Sequence, residues 1–175
     1  MIDVQEKLFP VMRKKEDLQK ALLLLLKGAA VLKIPVIATE QYPKGLGPTI
    51  PEIREALGNA IILEKTTFSS GGAAGFWEKL NELKVKRVAV CGIETHVCVY
   101  QSVRDLIEKK FAVEVVENAV SSRFKTDRKI ALKRLASLGA GFVSAEMLLF
   151  EAMGDARHPA FKDISALVKQ YAAKT

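Results

Sequence analysis

Cysteine and histidine are scarce in this chain. Cys91 and Cys98 are its two cysteines, and His96 and His158 its two histidines. That set cannot make a tetrahedral zinc site of the usual spacings, so no metal and no cofactor are expected. Two thiols also exclude a disulfide scaffold. Long apolar runs are missing as well. The longest, the leucines from Leu22 to Leu26, is closed by Lys27, whereas a membrane span needs about twenty such residues. No membrane partner is expected. The opening Met1-Ile2-Asp3-Val4-Gln5 lacks the basic, apolar and small-residue segments of a signal peptide, which points to a cytoplasmic location.

Aromatic residues make up only 7% of the chain. The charge excess of 27 basic over 20 acidic residues, +7, is scattered over 13–15, 84–87, 109–110 and 123–134. With few aromatics interleaved, these clusters read as solvated faces, and no nucleic-acid partner is expected. What is present is ordinary: 175 residues, 49% hydrophobic and 27% charged. That length and composition suit a single domain over 1–175, with no internal repeat, low-complexity tract or linker.

Apolar residues at Leu18, Leu22, Leu25, Ala29 and Leu32 step by four and three, the mark of a helix with one buried stripe, which Pro35 stops. Short apolar runs then predict strands at 35–39, 61–63, 87–91, 112–116 and 140–144. Helices are predicted at 76–83, 98–110, 127–138, 145–153 and 161–171. Such alternation implies an α/β class with a doubly wound, mostly parallel sheet covered by helices on both faces. Counting Ile2-Asp3-Val4 as a first strand cut short at its amino end predicts a six-stranded sheet.

In open parallel sheets ligands bind beyond the carboxyl ends of the strands. Three reactive residues follow such ends: Asp3, Lys65 and Cys98. They supply a general base, a charge that stabilises a thiolate, and a nucleophile. Each has a plainer reading alone. Asp3 could be a cap, Lys65 a surface charge, and a cysteine opening a helix a structural residue; Cys91, inside an apolar strand, reads as a small buried hydrophobe.

The combination is more specific. Ile2-Asp3-Val4-Gln5, Glu64-Lys65-Thr66-Thr67-Phe68-Ser69 and Gly92-Ile93-Glu94-Thr95-His96-Val97-Cys98-Val99 resemble, in order and spacing, three signatures of the isochorismatase-like cysteine hydrolases. A closer resemblance, to isochorismatase domain-containing proteins, is carried by Thr39 to Thr49, Ala119-Val120-Ser121-Ser122-Arg123 and Gly154 to Lys162.

The resemblance implies a Rossmann-like three-layer fold and a catalytic triad of Asp3, Lys65 and Cys98. It also implies an oxyanion hole from the backbone N–H groups of Glu94 and Cys98, with a cis peptide between Ile93 and Glu94. The implied activity is hydrolysis of a small amide or related molecule through a thioester-like intermediate. Members that bind a metal use an aspartate and histidines after the second strand; Gln41 and Pro43 stand at the matching places, which disfavours a metal-dependent nicotinamidase. Gln41, Tyr42, Phe68 and Leu8 are the candidate substrate-binding residues, with Trp77 as a further pocket wall; aromatics at such spacings also serve as core. A homo-oligomer is expected, because family members are commonly dimers or larger rings and because Phe161, Ile164, Leu167, Val168 and Tyr171 form a wide apolar stripe on the last helix.

Two other motifs dissolve on inspection. Cys98 and Arg104 have the spacing of a thiol phosphatase, but Val99 to Val103 is too bulky and helical to curl around a phosphate. The segment from Ser69 to Gly75 lacks the Gly-Lys-Ser/Thr ending of a nucleotide loop. The stronger rival is a binding or scaffold protein that keeps the hydrolase fold and turns over little.

Overall fold

The computed structural model describes residues 1–172. In chain order the elements are α1 (Lys15–Val31), β1 (Ile37–Gln41), α2 (Pro43–Leu46), α3 (Pro51–Leu57), β2 (Ile61–Lys65) and α4 (Phe76–Glu82). There follow β3 (Arg87–Ile93), α5 (Tyr100–Glu108), β4 (Ala112–Ser121), α6 (Lys125–Ser137), β5 (Gly141–Val143), α7 (Ala145–Met153) and α8 (Phe161–Ala172).

The strands form two parallel ladders, β1-β2 and β3-β4-β5. Ile2 alone joins them, bridging Thr39 on one side and Gly92 on the other. The expected six-stranded sheet is therefore corrected to five strands in ladders of two and three. Ile2-Asp3-Val4 is not a strand: Ile2 makes isolated bridges, and Asp3 turns the chain away at φ 54°. All paired strands run parallel, so their carboxyl ends share one edge of the molecule.

Helices cover both faces. One apolar cluster gathers α1, α3, α7 and α8 around Leu22, Ile53, Leu149 and Ile164; the other packs α4, α5 and α6 through Phe76, Leu80, Val103, Leu106 and Leu135. A fully buried leucine such as Leu22 contributes roughly 1.5–3 kcal/mol of burial free energy. The stripe on α8 is largely taken up within the chain: Ile164 is fully buried, and Phe161, Leu167, Val168 and Tyr171 pack against the first cluster. That stripe is thus not a free surface for a subunit contact. No helix among the described residues is long and apolar enough to cross a membrane.

One glycine is dictated by close approach. Gly92 sits at φ 119°, and a Cβ there would overlap the backbone of Ile2, its carbonyl oxygen first. Only hydrogen lets β3 pass Ile2 at this distance, which in turn sets where Asp3 begins its turn. A register irregularity between Val90 and Gly92 marks the same place in the β3-β4 ladder.

Candidate functional site

Asp3, Lys65 and Cys98 come together at the carboxyl edge of the sheet. Gln41 and Lys65 are register partners at the ends of β1 and β2. This places the Lys65 ammonium 2.8 Å from the Gln41 side-chain oxygen and 2.6 Å from Asp3 Oδ2. The carbonyls of Thr67 and Phe68 accept from the same ammonium at 3.2 and 3.1 Å. Thr39, two residues before Gln41 and on the same side of β1, donates its hydroxyl to Asp3 Oδ1 at 2.7 Å. Cys98 completes the group, its thiol near enough to the Asp3 carboxylate for each to shift the other's proton affinity.

The charges here are held without water. The side chains of Asp3 and Lys65 are wholly inaccessible, and Cys98 is 6% exposed. Burial raises the Asp3 carboxyl above its ordinary value, against the opposing pull of Lys65 and of its hydrogen bonds. Burial also pushes the Cys98 thiol up to about 12, reinforced by the Asp3 charge and only partly offset by Lys65. A resting thiolate, which a helix start next to a lysine suggests, is therefore not what this site holds. The arrangement favours a protonated thiol beside the Asp3 carboxylate at rest.

The turn that carries Cys98 is also wider than an ordinary helix start. Residues Thr95–Val99 form a π turn, and α5 begins only at Tyr100. The predicted helix start at Cys98 is corrected accordingly. The peptide bond between Ile93 and Glu94 is cis. Within the turn the carbonyl of Glu94 accepts from the amides of Val97 and Val99, each at 3.1 Å.

The other candidates divide. Gln41 is a positioning group: its oxygen holds Lys65, and its nitrogen donates to the Thr66 carbonyl at 2.7 Å. Tyr42 and Phe68 follow β1 and β2 at the same edge and are more than half exposed, at 55% and 53%. Leu8 is half-buried against the α1 side of the core. Trp77, expected as a pocket wall, lines an open pocket with Thr67 and Phe68 and also packs between Phe76 and Phe111 beneath Lys109. Its period on α4 turns it to the core cluster there.

Sequence reasoning missed the frame around the triad. Fully buried Gln5 donates to the Gln41 carbonyl and accepts from the Gln41 amide, at 3.0 and 2.7 Å, tying the first loop to the end of β1. Glu40 accepts from the amide and hydroxyl of Thr49 at 2.8 and 2.7 Å, which anchors the loop before α3. Polar residues inside an apolar strand were the available signal for Thr39 and Glu40. His96 contacts Ser122 at 3.0 Å, and Arg123 donates to Glu94 at 2.7 Å, bracing the turn that carries Cys98 against the end of β4.

A family model described as the isochorismatase domain matches residues 1–147. The chain belongs to the isochorismatase-domain family. Isochorismatase domain-containing protein 1 of Danio rerio is 39% identical over 168 residues, covering 95% of this chain and 59% of that protein. Isochorismatase domain-containing protein 2 of Bos taurus is 39% identical over 171 residues, covering 97% of this chain and 81% of its own. A solved structure described as a MAR1 ribonuclease from Caenorhabditis elegans superposes with a TM-score of 0.91 at 39% identity, covering 95% of this chain and 86% of that one. This isochorismatase-family chain thus spans 59% of the length of one curated relative and 81% of another, and it shares the isochorismatase-like α/β fold.

Proposed function

We propose that the chain is a cysteine hydrolase that cleaves a small amide or related acyl compound with Asp3, Lys65 and Cys98. The observation that carries this reading is the burial of Cys98 beside a carboxylate already ion-paired with Lys65. As Cys98 Sγ attacks the carbonyl carbon, its proton passes to Asp3, and Lys65 stabilises the negative charge that sulfur carries on the way. The carbonyl oxygen becomes an oxyanion. We assign it to the amides of Glu94 and Cys98, since those of Val97 and Val99 in the same turn are engaged by the Glu94 carbonyl. The carbon–nitrogen bond then breaks as Asp3 returns the proton to the leaving amine. Water adds to the thioester, Asp3 takes its proton, the carbon–sulfur bond breaks, and the thiol is restored as the acid leaves.

The near-complete burial of Cys98 supports a small substrate, because a polynucleotide cannot bring its backbone to a residue with 6% exposure. Tyr42, Phe68, Leu8 and Gln41 are proposed to border the entrance or hold its floor. The rival, binding with little turnover, draws on the same thiol pushed up to about 12. A panel of small amides and esters, with an RNA oligonucleotide as a further arm, separates them under intact-protein mass spectrometry. An acyl adduct that is absent in Cys98→Ala, with product release, supports the hydrolase. Saturable binding with no adduct and no product supports the rival.

A further inference from the structure

Arg123 stands at the carboxyl edge beside the turn that carries Cys98. Ser121 is the register partner of Ile93 at the end of the β3-β4 ladder, so Glu94 and Arg123 leave the sheet side by side. The backbone leading to Arg123 is fixed. The Ser121 hydroxyl donates to the Arg13 carbonyl at 2.7 Å, and fully buried Ser122 meets His96 at 3.0 Å. From that anchor Arg123 gives its Nε–H to Glu94 Oε1 at 2.7 Å. The Glu94 side chain is 14% exposed and that of Arg123 50%, so the carboxylate is held inside while the guanidinium reaches solvent.

Of a guanidinium's five N–H donors, this contact uses one. The terminal nitrogens, Nη1 and Nη2, meet no acceptor among the described residues. Bracing the turn requires only the bond to Glu94, which a lysine would also supply; what arginine adds is the planar end-on fork left over. Lys65 cannot serve a ligand in its place, because its ammonium is spent on Asp3, Gln41, Thr67 and Phe68. The Cys98 thiol is pushed up chiefly by burial, and the Glu94 charge adds to it, which puts the Glu94–Arg123 pair within electrostatic reach of the nucleophile.

We infer that Arg123 reads a carboxylate on the substrate, so that the amide cleaved at Cys98 belongs to a small molecule that also carries an acid group. This rests on the hydrolase reading and narrows its substrate class. A carboxylate presents two oxygens in the plane and at the spacing of the free fork, and the bonds are charge-assisted on both sides. Glu94 already orients the guanidinium, so little side-chain freedom is lost on binding. The acid group is held and not transformed, so Arg123 acts on substrate affinity rather than on the chemical step.

The probes are malonamate, succinamate and glutaramate, which place the acid at three distances from the amide, against neutral butanamide. Binding is read by calorimetry in Cys98→Ala, which needs no turnover, and hydrolysis in the parent chain. One of the acid amides should bind Cys98→Ala at least about tenfold more tightly than butanamide. Arg123→Gln added to Cys98→Ala should abolish that preference, and Arg123→Lys, which keeps the charge against Glu94 but not the fork, should retain only part of it. In the parent chain the preference should appear in KM more than in kcat. Equal binding of all three acid amides and butanamide overturns the inference, as does a preference that survives both Arg123 substitutions. Arg123-dependent binding with no hydrolysis by the parent chain upholds the carboxylate contact and removes the hydrolase reading instead.

Discussion

The Lys65 ammonium lies 2.6 Å from Asp3 Oδ2 with both side chains wholly out of solvent, and Gln41, Thr67 and Phe68 surround the same nitrogen. Removing one member of such a pair leaves a buried charge unmatched. Lys65→Met should therefore destabilise the fold by about 3–5 kcal/mol, whereas Asp3→Asn with Lys65→Met together should recover most of that loss. Denaturant unfolding of the single and double variants measures it. A double variant as unstable as Lys65→Met alone would show that the pair is not the energetic unit.

Thiol reactivity and turnover should move in opposite directions when Asp3 is neutralised. The Asp3 charge and hydrogen bond help hold the Cys98 thiol up at about 12, while Lys65 lowers it. In Asp3→Asn the raising charge is gone, so alkylation by iodoacetamide near about pH 8 should be faster than in the parent chain. Hydrolysis should fall by about 10²–10⁴-fold, because the proton acceptor is lost. In the parent chain the thiol should react more slowly than a free cysteine, whose pKa is about 8.5. Slower alkylation in Asp3→Asn would contradict the assignment.

Asp3 also gives the stability a defined pH dependence. Its carboxyl is raised above the ordinary value chiefly by burial, so the folded protein holds this proton more tightly than the unfolded chain does. The contribution is fully present below the unfolded value of about 3.9 and is lost as pH rises through the folded one. Relative to Asp3→Asn, the parent chain should thus become less stable as pH rises above about 4. Paired thermal melts across that range test the sign, and a gain for the parent with rising pH would reverse the account.

Gly92→Ala tests the route by which the backbone delivers Asp3. The added methyl meets the Ile2 backbone at a position with φ 119°, and neither strand can give way without breaking the bridge. A loss of about 2–3 kcal/mol is expected, together with loss of hydrolysis. Retained turnover at parent stability would mean that Ile2 does not set the place of Asp3.

Much of this arrangement is legible in the residues themselves. The period of Leu18, Leu22 and Leu25 and the apolar runs at 61–63 and 87–91 locate α1, β2 and β3, and the strand-end rule draws Asp3, Lys65 and Cys98 to one edge. The sheet count failed because hydrophobicity marks Ile2-Asp3-Val4 as strand-like, while Asp3 turns the chain away at φ 54° and leaves Ile2 with isolated bridges. The π turn around Cys98 was hidden because its sequence, Thr95-His96-Val97-Cys98-Val99, carries the same apolar marks as an ordinary helix start. The state of the thiol was hidden for a different reason. Proximity to Lys65 reads as activation, whereas burial and the Asp3 charge, neither visible in the sequence, push the thiol up.

Assembly is the last prediction. With the α8 stripe packed on α1, a subunit contact needs another apolar surface, and the exposed aromatics supply one. Tyr42, Phe68 and Phe124 follow β1, β2 and β4 at the carboxyl edge, with exposures of 55%, 53% and 62%. Exposed rings at the rim of a buried site suit a second copy that covers them and narrows the entrance. Light scattering at micromolar concentration should give a multiple of the 19.2 kDa chain mass, and Phe124→Asp should reduce it. Phe124 lies outside the triad, so Cys98 alkylation in that variant should become faster as the rim opens to solvent. A monomeric mass for the parent chain, or an unchanged oligomer in Phe124→Asp, would remove this edge as the contact.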